Sequence, residues 1–397
     1  MSNSRNPQGR VLQILETYLP LIGGAEFHLH YLTVNLLAQG WEVEIVTGAV
    51  NGADQSADPC PTHRLPHAVG RKALPYFFTW LFRFVRMFSR FDVIHVHHSS
   101  FLAFVAVIAG LFTGRRVVLT LHGLGALDSS VGYCPIRRLY RWVSMKGAGC
   151  IIATSEEMQA VARRFVPDNR IVLITNGVAT DHFVTPKERN FDHVDQNLRL
   201  VTLRRMNPKN GVHFVVDALG LVKEQLRFTL RMAGDGELRP AIAEAVTTFG
   251  LGDRVTFEGF VSHQQVVSLL ESCDVALFFS TAESTSLAAL ECMSMGCLIV
   301  CSNAGAFPQF VRNGETGFII QLFHEGKSDY HAPLHLESWQ NQAIAAMLLA
   351  IQKMPSQELQ RISEQARAHV RAHFDWAVIT AQTADKVYSR SGVYRKE

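Results

Sequence analysis

Cys273-Asp-Val-Ala-Leu-Phe-Phe-Ser-Thr-Ala-Glu283-Ser-Thr-Ser-Leu-Ala-Ala-Leu-Glu291-Cys-Met-Ser-Met-Gly296 sets an apolar run, a polar break and a second apolar run end to end. Val275 to Phe279 has the length and continuity of a strand buried on both faces. Ser280 to Ser286 is small, polar and without alternation, so the strand empties into a loop. Leu287 to Met295 then reads as a helix. Glu283 stands before this helix, and Glu291, eight residues later, lies about a turn inside it. Between them fall the helix's first backbone N–H groups, which have no partner within the helix and sit at the positive end of its dipole. They form a seat for phosphate. Two carboxylates beside an anion seat supply what a nucleotide diphosphate sugar requires: donors for the pyrophosphate and acceptors for the ribose and hexose hydroxyls.

The same residues also fit a plainer arrangement, with Glu283 as a helix cap and Glu291 as an exposed helix residue. The flank argues for the first reading. Ala288, Ala289, Leu290, Met293 and Met295 leave the helix little polar surface, so Glu291 is expected to be enclosed, and an enclosed carboxylate needs a partner. With its surround, the stretch resembles the E-x7-E motif of the retaining glycosyltransferases of family 4, which have the GT-B fold. Gly296-Cys-Leu-Ile-Val-Cys-Ser-Asn-Ala-Gly-Ala-Phe-Pro308 and Asn313-Gly-Glu-Thr-Gly-Phe318 match the usual continuation. The family often has Gly-Phe-Gly after the first Glu, where this chain has Ser284-Thr285-Ser286. That departure alters backbone approach to a donor and leaves its sugar open.

A chain of 397 residues is long enough for two ordinary domains, each with its own core. Apolar content of 48% with 18% charged is that of a soluble globular protein, and a formal charge of +3 gives no reason to expect nucleic acid as a partner. Cys60, Cys134, Cys150, Cys273, Cys292, Cys297 and Cys301 include no C-x-x-C pair and are expected to be reduced, buried and cytoplasmic, with no structural zinc. The N-terminus lacks the apolar middle of a signal peptide. The longest apolar run, Phe101 to Phe112, falls short of the roughly 20 residues that span a bilayer. Neither G-x-G-x-x-G nor G-x-S-x-G occurs, which sets aside dehydrogenase and serine hydrolase readings.

In the first half, the strand Val11 to Leu15, a helix from about Phe27 to Gln39 ended by Gly40, and the strand Val43 to Thr47 predict a βαβ unit with a parallel sheet. Gly23 and Gly24 leave room for a ligand against the backbone at the strand's carboxyl end, where open α/β sheets bind; an ordinary tight turn is the alternative. In the resembling family the corresponding Gly-Gly loop lies in the cleft between domains, and Glu26 also matches its pattern. Arg71 to Arg90 holds five basic residues, no acidic ones and seven aromatics. The helical period puts Phe77, Leu81, Phe84, Val85 and Phe88 on one face and Arg83, Arg86 and Arg90 on another. Such a helix suits a membrane interface, or packing on the sheet with an arginine-rich outer face. Arg137, Arg138, Tyr140, Arg141, Trp142 and Lys146 form a second basic and aromatic segment. His95 and His97 share a face of the strand Asp92 to His98, with no acidic or cysteine ligand near in sequence, so no metal is expected. Val117-Val-Leu-Thr-Leu-His122-Gly123 ends a strand in a histidine and resembles a family motif whose His contacts the transferred sugar. Asn176-Gly-Val178 and Asp181-His-Phe183 are similar to the family's closing signature, with Ala179 where Asp is usual.

Thr185 to Asn197 is charged and without period, and is the expected domain boundary. Leu198 to Leu203 opens a second α/β unit, followed by the loop Arg204-Arg-Met-Asn-Pro-Lys-Asn-Gly211. An Arg and a Lys at a strand's end can neutralise charge building on a departing diphosphate. The loop resembles the family's G-R-x-x-x-x-K-G motif: Arg205 fits, while Asn210 takes the place of the Lys, with Lys209 one residue earlier. Gly234-Asp-Gly236 resembles the segment near the nucleotide, and Arg254 to Val261 the strand after which the base is contacted, by Phe260 and Val261. Phe374-Asp-Trp376 resembles the terminal crossing of the last helix to the first domain.

The expectation is an α/β protein with two Rossmann-like doubly wound domains facing a cleft: an acceptor domain over residues 1–190, a nucleotide-sugar domain over 191–373, and a C-terminal helix over 374–397 that returns to the first. The resemblance implies a retaining hexosyltransferase that needs no cofactor and no metal. Arg205 and Lys209 would then stabilise the leaving diphosphate over Ser286 and Leu287, Glu283 would hold hexose hydroxyls, Glu291 the ribose, and His122 the sugar, with Gly23, Gly24, Gly234, Phe260 and Val261 completing the donor site. The acceptor is read as a glycan or lipid-linked intermediate, with residues 71–90 as a peripheral membrane contact and a cytoplasmic place, the inner face of the membrane included. A nucleotide-sugar epimerase of the same fold and a non-catalytic subunit that binds nucleotide sugar remain open alternatives.

Overall fold

Where helices alternate with short apolar strands, each crossover returns the chain to the same end of the sheet and the strands run parallel. The structure, a computed structural model, describes residues 8–20, 23–49, 58–65, 73–123, 135–185, 189–323 and 335–389. Two compact units divide it: Met1–Gly177 with Trp376–Glu397, and Val178–Asp375.

In the first unit β1 (Arg10–Ile14), α1 (Gly24–Ala38), β2 (Glu42–Gly48), β3 (Thr62–Leu65), α2 (Ala73–Phe88), β4 (Val93–His97), α3 (Phe101–Thr113), β5 (Val117–Leu121), α4 (Pro135–Gly147), β6 (Cys150–Ala153), α5 (Glu156–Ala162) and β7 (Ile171–Leu173) follow in order. The sheet is parallel throughout, in the order β3-β2-β1-β4-β5-β6-β7. The second unit runs β8 (Leu198–Leu203), α6 (Val212–Val222), β9 (Phe228–Ala233), α7 (Arg239–Thr248), β10 (Val255–Gly259), α8 (His263–Glu271), β11 (Val275–Phe278), α9 (Leu287–Ser294), β12 (Leu298–Ser302), α10 (Phe307–Phe310), β13 (Phe318–Ile320), α11 (Ser338–Gln352) and α12 (Ser356–His373). Its sheet is also parallel, in the order β10-β9-β8-β11-β12-β13. Both are doubly wound, Rossmann-like sheets. Strand order reverses between β1 and β4 in one and between β8 and β11 in the other, and ligands of open α/β sheets bind outside the carboxyl ends at that reversal.

The strand pleat explains the continuous apolar runs. In β11, Val275 and Leu277 join one core cluster while Ala276 and Phe278 join the other, so both faces are covered by helices and neither tolerates a polar alternation. After Phe374 the chain enters α13 (Trp376–Thr383), which packs on α1 in the first unit; Trp376 lies 5.9 Å from Tyr31, ring to ring.

The domain boundary falls earlier than the expected 190/191. Residues 178–185 and 189–190 belong to the second unit, because their apolar and charged groups are spent there. Val178 bridges to Asp375, Phe183 is buried in the cluster formed with α9 and α12, and Arg189 donates to the carbonyls of Met295 (2.8 Å), Leu270 (2.6 Å) and Cys273. The polar stretch chosen as a linker is laid along this unit, with Phe191 and Val194 in its core. Likewise Phe374 and Asp375 stay with the second unit, and only Trp376 onward belongs with the first.

Candidate functional site

Four loops meet at the carboxyl ends of β8, β9, β11 and β12. The β8 loop is laced to the β9 loop by Met206 N–H to Asp235 O (3.0 Å) and Leu238 N–H to Met206 O (2.9 Å), and to the β11 loop by Thr281 N–H to Lys209 O (2.8 Å). Gly234 makes this approach possible. Its φ is +126°, and a Cβ there would stand 2.0 Å from the Arg204 carbonyl oxygen. Gly305, at φ +60°, does the same for Glu283: a Cβ would lie 2.2 Å from the Glu283 carbonyl oxygen, which accepts from Ala306 N–H at 2.9 Å.

Glu283 is therefore placed by backbone, and its carboxylate pairs with Arg204. Arg204 reaches across the strand reversal: Nη1 donates to Ser286 Oγ (3.0 Å), Nη2 to Ser280 Oγ (2.7 Å) and Asn210 Oδ1 (3.2 Å), and the guanidinium lies 5.8 Å from the Phe278 ring centroid. Both charged side chains are only 12% exposed. Ser286 caps α9 by accepting from Ala289 N–H (3.3 Å), which leaves the other amides of the first turn at an electropositive end. Arg205 and Lys209, the cations expected from the sequence, are exposed on the same loop. The residue that the structure brings to Glu283 is Arg204, which sequence spacing did not single out.

Glu291 lies one turn into α9 among the buried Leu290, Cys292 and Met293. Its carboxyl has no hydrogen-bond or ion-pair partner among the described residues, and burial pushes it up to about 7. Leu287 is half-buried at the helix start. Just past the edge strand β10, Phe260 is 82% exposed, a ring face open for stacking, while Val261 packs partly into the core.

In the first unit, histidines gather at the carboxyl ends of β4 and β5. His97 Nε2 bonds Gln13 Oε1 (2.6 Å), its Nδ1 bonds His122 Nε2 (2.8 Å), and His28 Nδ1 bonds Asn176 Oδ1 (2.7 Å). His97 is thus bonded through both ring nitrogens, and His122 Nδ1 is enclosed with no partner among the described residues. Burial, then the neighbouring rings of His28, His98 and His95, holds His122 well below the usual imidazole range, and burial lowers His28 to about 4. These rings are neutral, able to accept a hydroxyl proton but not to supply charge. One ring nitrogen each of His28, His97 and His122 lies within 4.8 Å of the others, so among the described residues these three could hold a metal. His28, Gln13 and Asn176 were not found from sequence; they come from elements far apart in the chain. His95 is engaged elsewhere, with Tyr388 Oη (2.7 Å) and Thr120 Oγ1 (2.6 Å). Gly23 caps α1 in extended conformation beside Glu26, and a Cβ at Gly24 would meet nothing within 4 Å.

The faces of α2 divide as the helical period predicts: Phe77, Leu81 and Val85 pack on the core cluster with Phe84 and Phe88, and Arg83, Arg86 and Arg90 are exposed. Residues 71 and 72 lie outside the described residues. Trp80, Phe84 and Phe88 are buried, but Phe78 (72%) and Phe82 (62%) point outward with the arginines, and the Arg86 guanidinium lies 5.4 Å from the Phe82 ring. Arg90 is withdrawn from that face by its ion pair with Glu44 (3.2 Å). Next to α2, α3 exposes Leu111 and Phe112, and α4 beyond it exposes Ile136, Leu139 and Trp142. Among the described residues no helix is long and apolar enough to cross a membrane.

Both units resemble known proteins. The family model "Glycosyltransferase Family 4" matches residues 22–182, and "Glycosyl transferases group 1" matches residues 197–327. The chain is similar to glycogen synthase of Mycobacterium tuberculosis, 24% identical over 94% of this chain and 93% of the relative. It is also similar to the gpi3 component of phosphatidylinositol N-acetylglucosaminyltransferase in Schizosaccharomyces pombe, 24% identical over 77% and 68%. Among solved structures, Anabaena HepE in complex with UDP and glucose superposes with a TM-score of 0.74 at 20% identity, over 96% of this chain and 100% of that one. A glycosyltransferase of Rickettsia africae gives 0.76 at 17% identity, over 98% and 99%.

Proposed function

The chain belongs to the family 4 glycosyltransferases of GT-B fold, and from that membership we propose that it moves a hexosyl group, with retained anomeric configuration, from a nucleoside diphosphate sugar to a hydroxyl of a lipid-linked or glycan acceptor. The observation that carries the reading is the meeting, at the start of α9, of the helix end, the Arg204 guanidinium and its paired carboxylate Glu283, with Glu291 one turn further along the same helix. In this reading the diphosphate lies over the amides at Ser286 and Leu287, with Arg205 neutralising the charge that grows as it leaves. Glu283 accepts from hexose hydroxyls and Glu291 from ribose, and Phe260 and Val261 meet the base. Both carboxylates are committed to hydroxyls. The acceptor oxygen therefore bonds to the anomeric carbon on the face from which the phosphate oxygen departs, and that departing oxygen takes the acceptor's proton; the products are the glycosylated acceptor and a nucleoside diphosphate.

No resident metal is required. The rings of His97 and His122 are joined to one another, and His97 and His28 are tied to amide oxygens. The test is a screen of nucleotide sugars for a rise in melting temperature, since a ligand of the native state must raise it. Transfer is then followed with the stabilising donor in EDTA. One nucleotide sugar is expected to stabilise the protein, and EDTA to leave transfer unchanged. Stabilisation by none would remove the donor assignment, a sugar epimer formed without acceptor would point to the epimerase, and loss in EDTA restored by zinc would assign the histidines to a metal.

A lipid-linked acceptor is favoured by the exposed phenylalanines and arginines of α2 and the apolar residues beside them on α3 and α4. The protein is expected to sediment with anionic phospholipid vesicles at low salt. Phe78→Ser with Phe82→Ser should weaken that binding by roughly tenfold or more, from the loss of two inserted rings. Equal binding by wild type and double variant would discard this surface.

A further inference from the structure

Resting on the donor reading above, we propose that Arg204, rather than Lys209, is the second cation of the diphosphate site, and that Asn210 holds it in place. Two departures from the resembling motif meet in one contact. Where that motif has Gly and Lys, this chain has Arg204 and Asn210, and Arg204 Nη2 donates to Asn210 Oδ1 at 3.2 Å. Asn210 is buried, and its Nδ2 donates to the Arg205 carbonyl at 2.8 Å, so its oxygen is oriented toward Arg204 by the backbone of the same loop. The pair Gly and Lys carries one positive charge, and so does the pair Arg and Asn: the charge has moved from position 210 to position 204.

Electrostatics at the new position demand an anion. The guanidinium is bonded to Ser286, the N-cap of α9, and therefore stands at the end of a helix that itself carries about half a positive charge. Like signs so close are unfavourable unless something negative lies with them. Glu283 supplies one negative charge, and among the described residues no other carboxylate pairs with Arg204. The Nε–H of Arg204 is enclosed with no acceptor among the described residues. A diphosphate supplies the missing charge, and a planar guanidinium binds phosphate oxygens in a fixed fork that an ammonium cannot form. Lys209, by contrast, is exposed, and what it gives the site is its backbone carbonyl, bonded to Thr281.

The test measures binding of UDP, ADP and GDP to the full chain by calorimetry, in wild type, Arg204→Gly, Arg204→Gly with Asn210→Lys, Asn210→Ala and Lys209→Ala. Arg204→Gly is expected to lose about 10- to 100-fold in affinity for the diphosphate that binds wild type, the range of a hydrogen bond to a charged group. Adding Asn210→Lys should return most of that loss, because the charge is restored from the motif's other position. Asn210→Ala, which keeps the charge and removes its support, should weaken binding severalfold with the thermal melt intact. Unchanged affinity in Arg204→Gly, no recovery in the double variant, no effect of Asn210→Ala, or a loss on Lys209→Ala matching that on Arg204→Gly would overturn the proposal. Should Arg204→Gly fail to fold, the Asn210→Ala and Lys209→Ala results still decide it. Failure of wild type to bind any of the three would instead refute the donor reading on which it rests.

Discussion

Glu283→Gln is expected to lower kcat/KM for hexosyl transfer by about a hundredfold or more while binding of the nucleoside diphosphate product is kept or tightened. On the proposed reading, the loss follows from exchanging a charged acceptor of sugar hydroxyls for a neutral one, worth about 1.5–3 kcal/mol for each such bond. The gain follows from charge. Glu283 is the counter-ion of Arg204, and both are 12% exposed, so neutralising it leaves a guanidinium and a helix end facing a diphosphate with nothing competing for them. Gln keeps the shape, and the backbone at position 283 is fixed independently by Ala306 N–H and by the close approach of Gly305, so the substitution does not displace the loop. Free protein should melt somewhat lower, since an enclosed cation has lost its partner, and added diphosphate should recover more of that melting temperature than it adds to wild type. Steady-state kinetics and calorimetry on one preparation check both arms. Wild-type turnover would remove Glu283 from the hexose subsite, and weaker diphosphate binding would mean that its ion pair with Arg204 builds the site rather than competing with the ligand.

The split between what sequence revealed and what it did not has physical causes. The run Val275 to Phe279 and the apolar helix after it were legible because a parallel sheet covered on both faces leaves no polar alternation, and their order placed Glu283 and Glu291 at the start of α9. Arg204 was not legible. Consecutive residues at a strand's end point to opposite sides, so two adjacent arginines are equivalent in spacing and opposite in space. The histidine group was half legible: His95, His97 and His122 announce themselves by ending strands, whereas His28 and its partner Asn176 meet only because α1 and the segment after β7 close on the same sheet edge. On α2 the helical period identified the buried row of Phe77, Leu81, Phe84, Val85 and Phe88, because a helix packed along one side buries one stripe; Phe78 and Phe82 fall outside it and are exposed. The boundary near residue 190 misled for a related reason: a polar segment looks like a linker from composition even when an arginine within it closes the carbonyl ends of two helices.

Glu291→Gln is expected to raise stability and abolish efficient donor use together, an opposite pair of effects that a structural role alone does not produce. The carboxyl is pushed up to about 7 by burial and has no partner among the described residues. Its folded value is above its unfolded one, 4.5, so between these pH values the native state holds more protons than the unfolded state. Stability is therefore full below about 4.5, falls as pH rises toward 7, and stays lowered above it. The cost at pH 8 is up to about 3 kcal/mol from a displacement of this size. Gln carries no such cost, so the variant should melt several degrees higher than wild type at pH 8 and no higher at pH 4.5. Donor binding should respond in the other direction. A carboxylate accepting ribose hydroxyls must be ionised, so wild-type donor affinity is expected to rise between pH 6 and 8, with proton release on binding near pH 7 that calorimetry in buffers of different ionisation enthalpy can count. The variant should lose about 10- to 100-fold in donor affinity at pH 8, the worth of the charged hydroxyl contacts, together with the pH dependence and the released proton. A stabilised variant with wild-type donor KM would leave Glu291 as a buried acid with no ligand, and a donor affinity that stays flat from pH 6 to 8 in the wild type would place the ribose on another group.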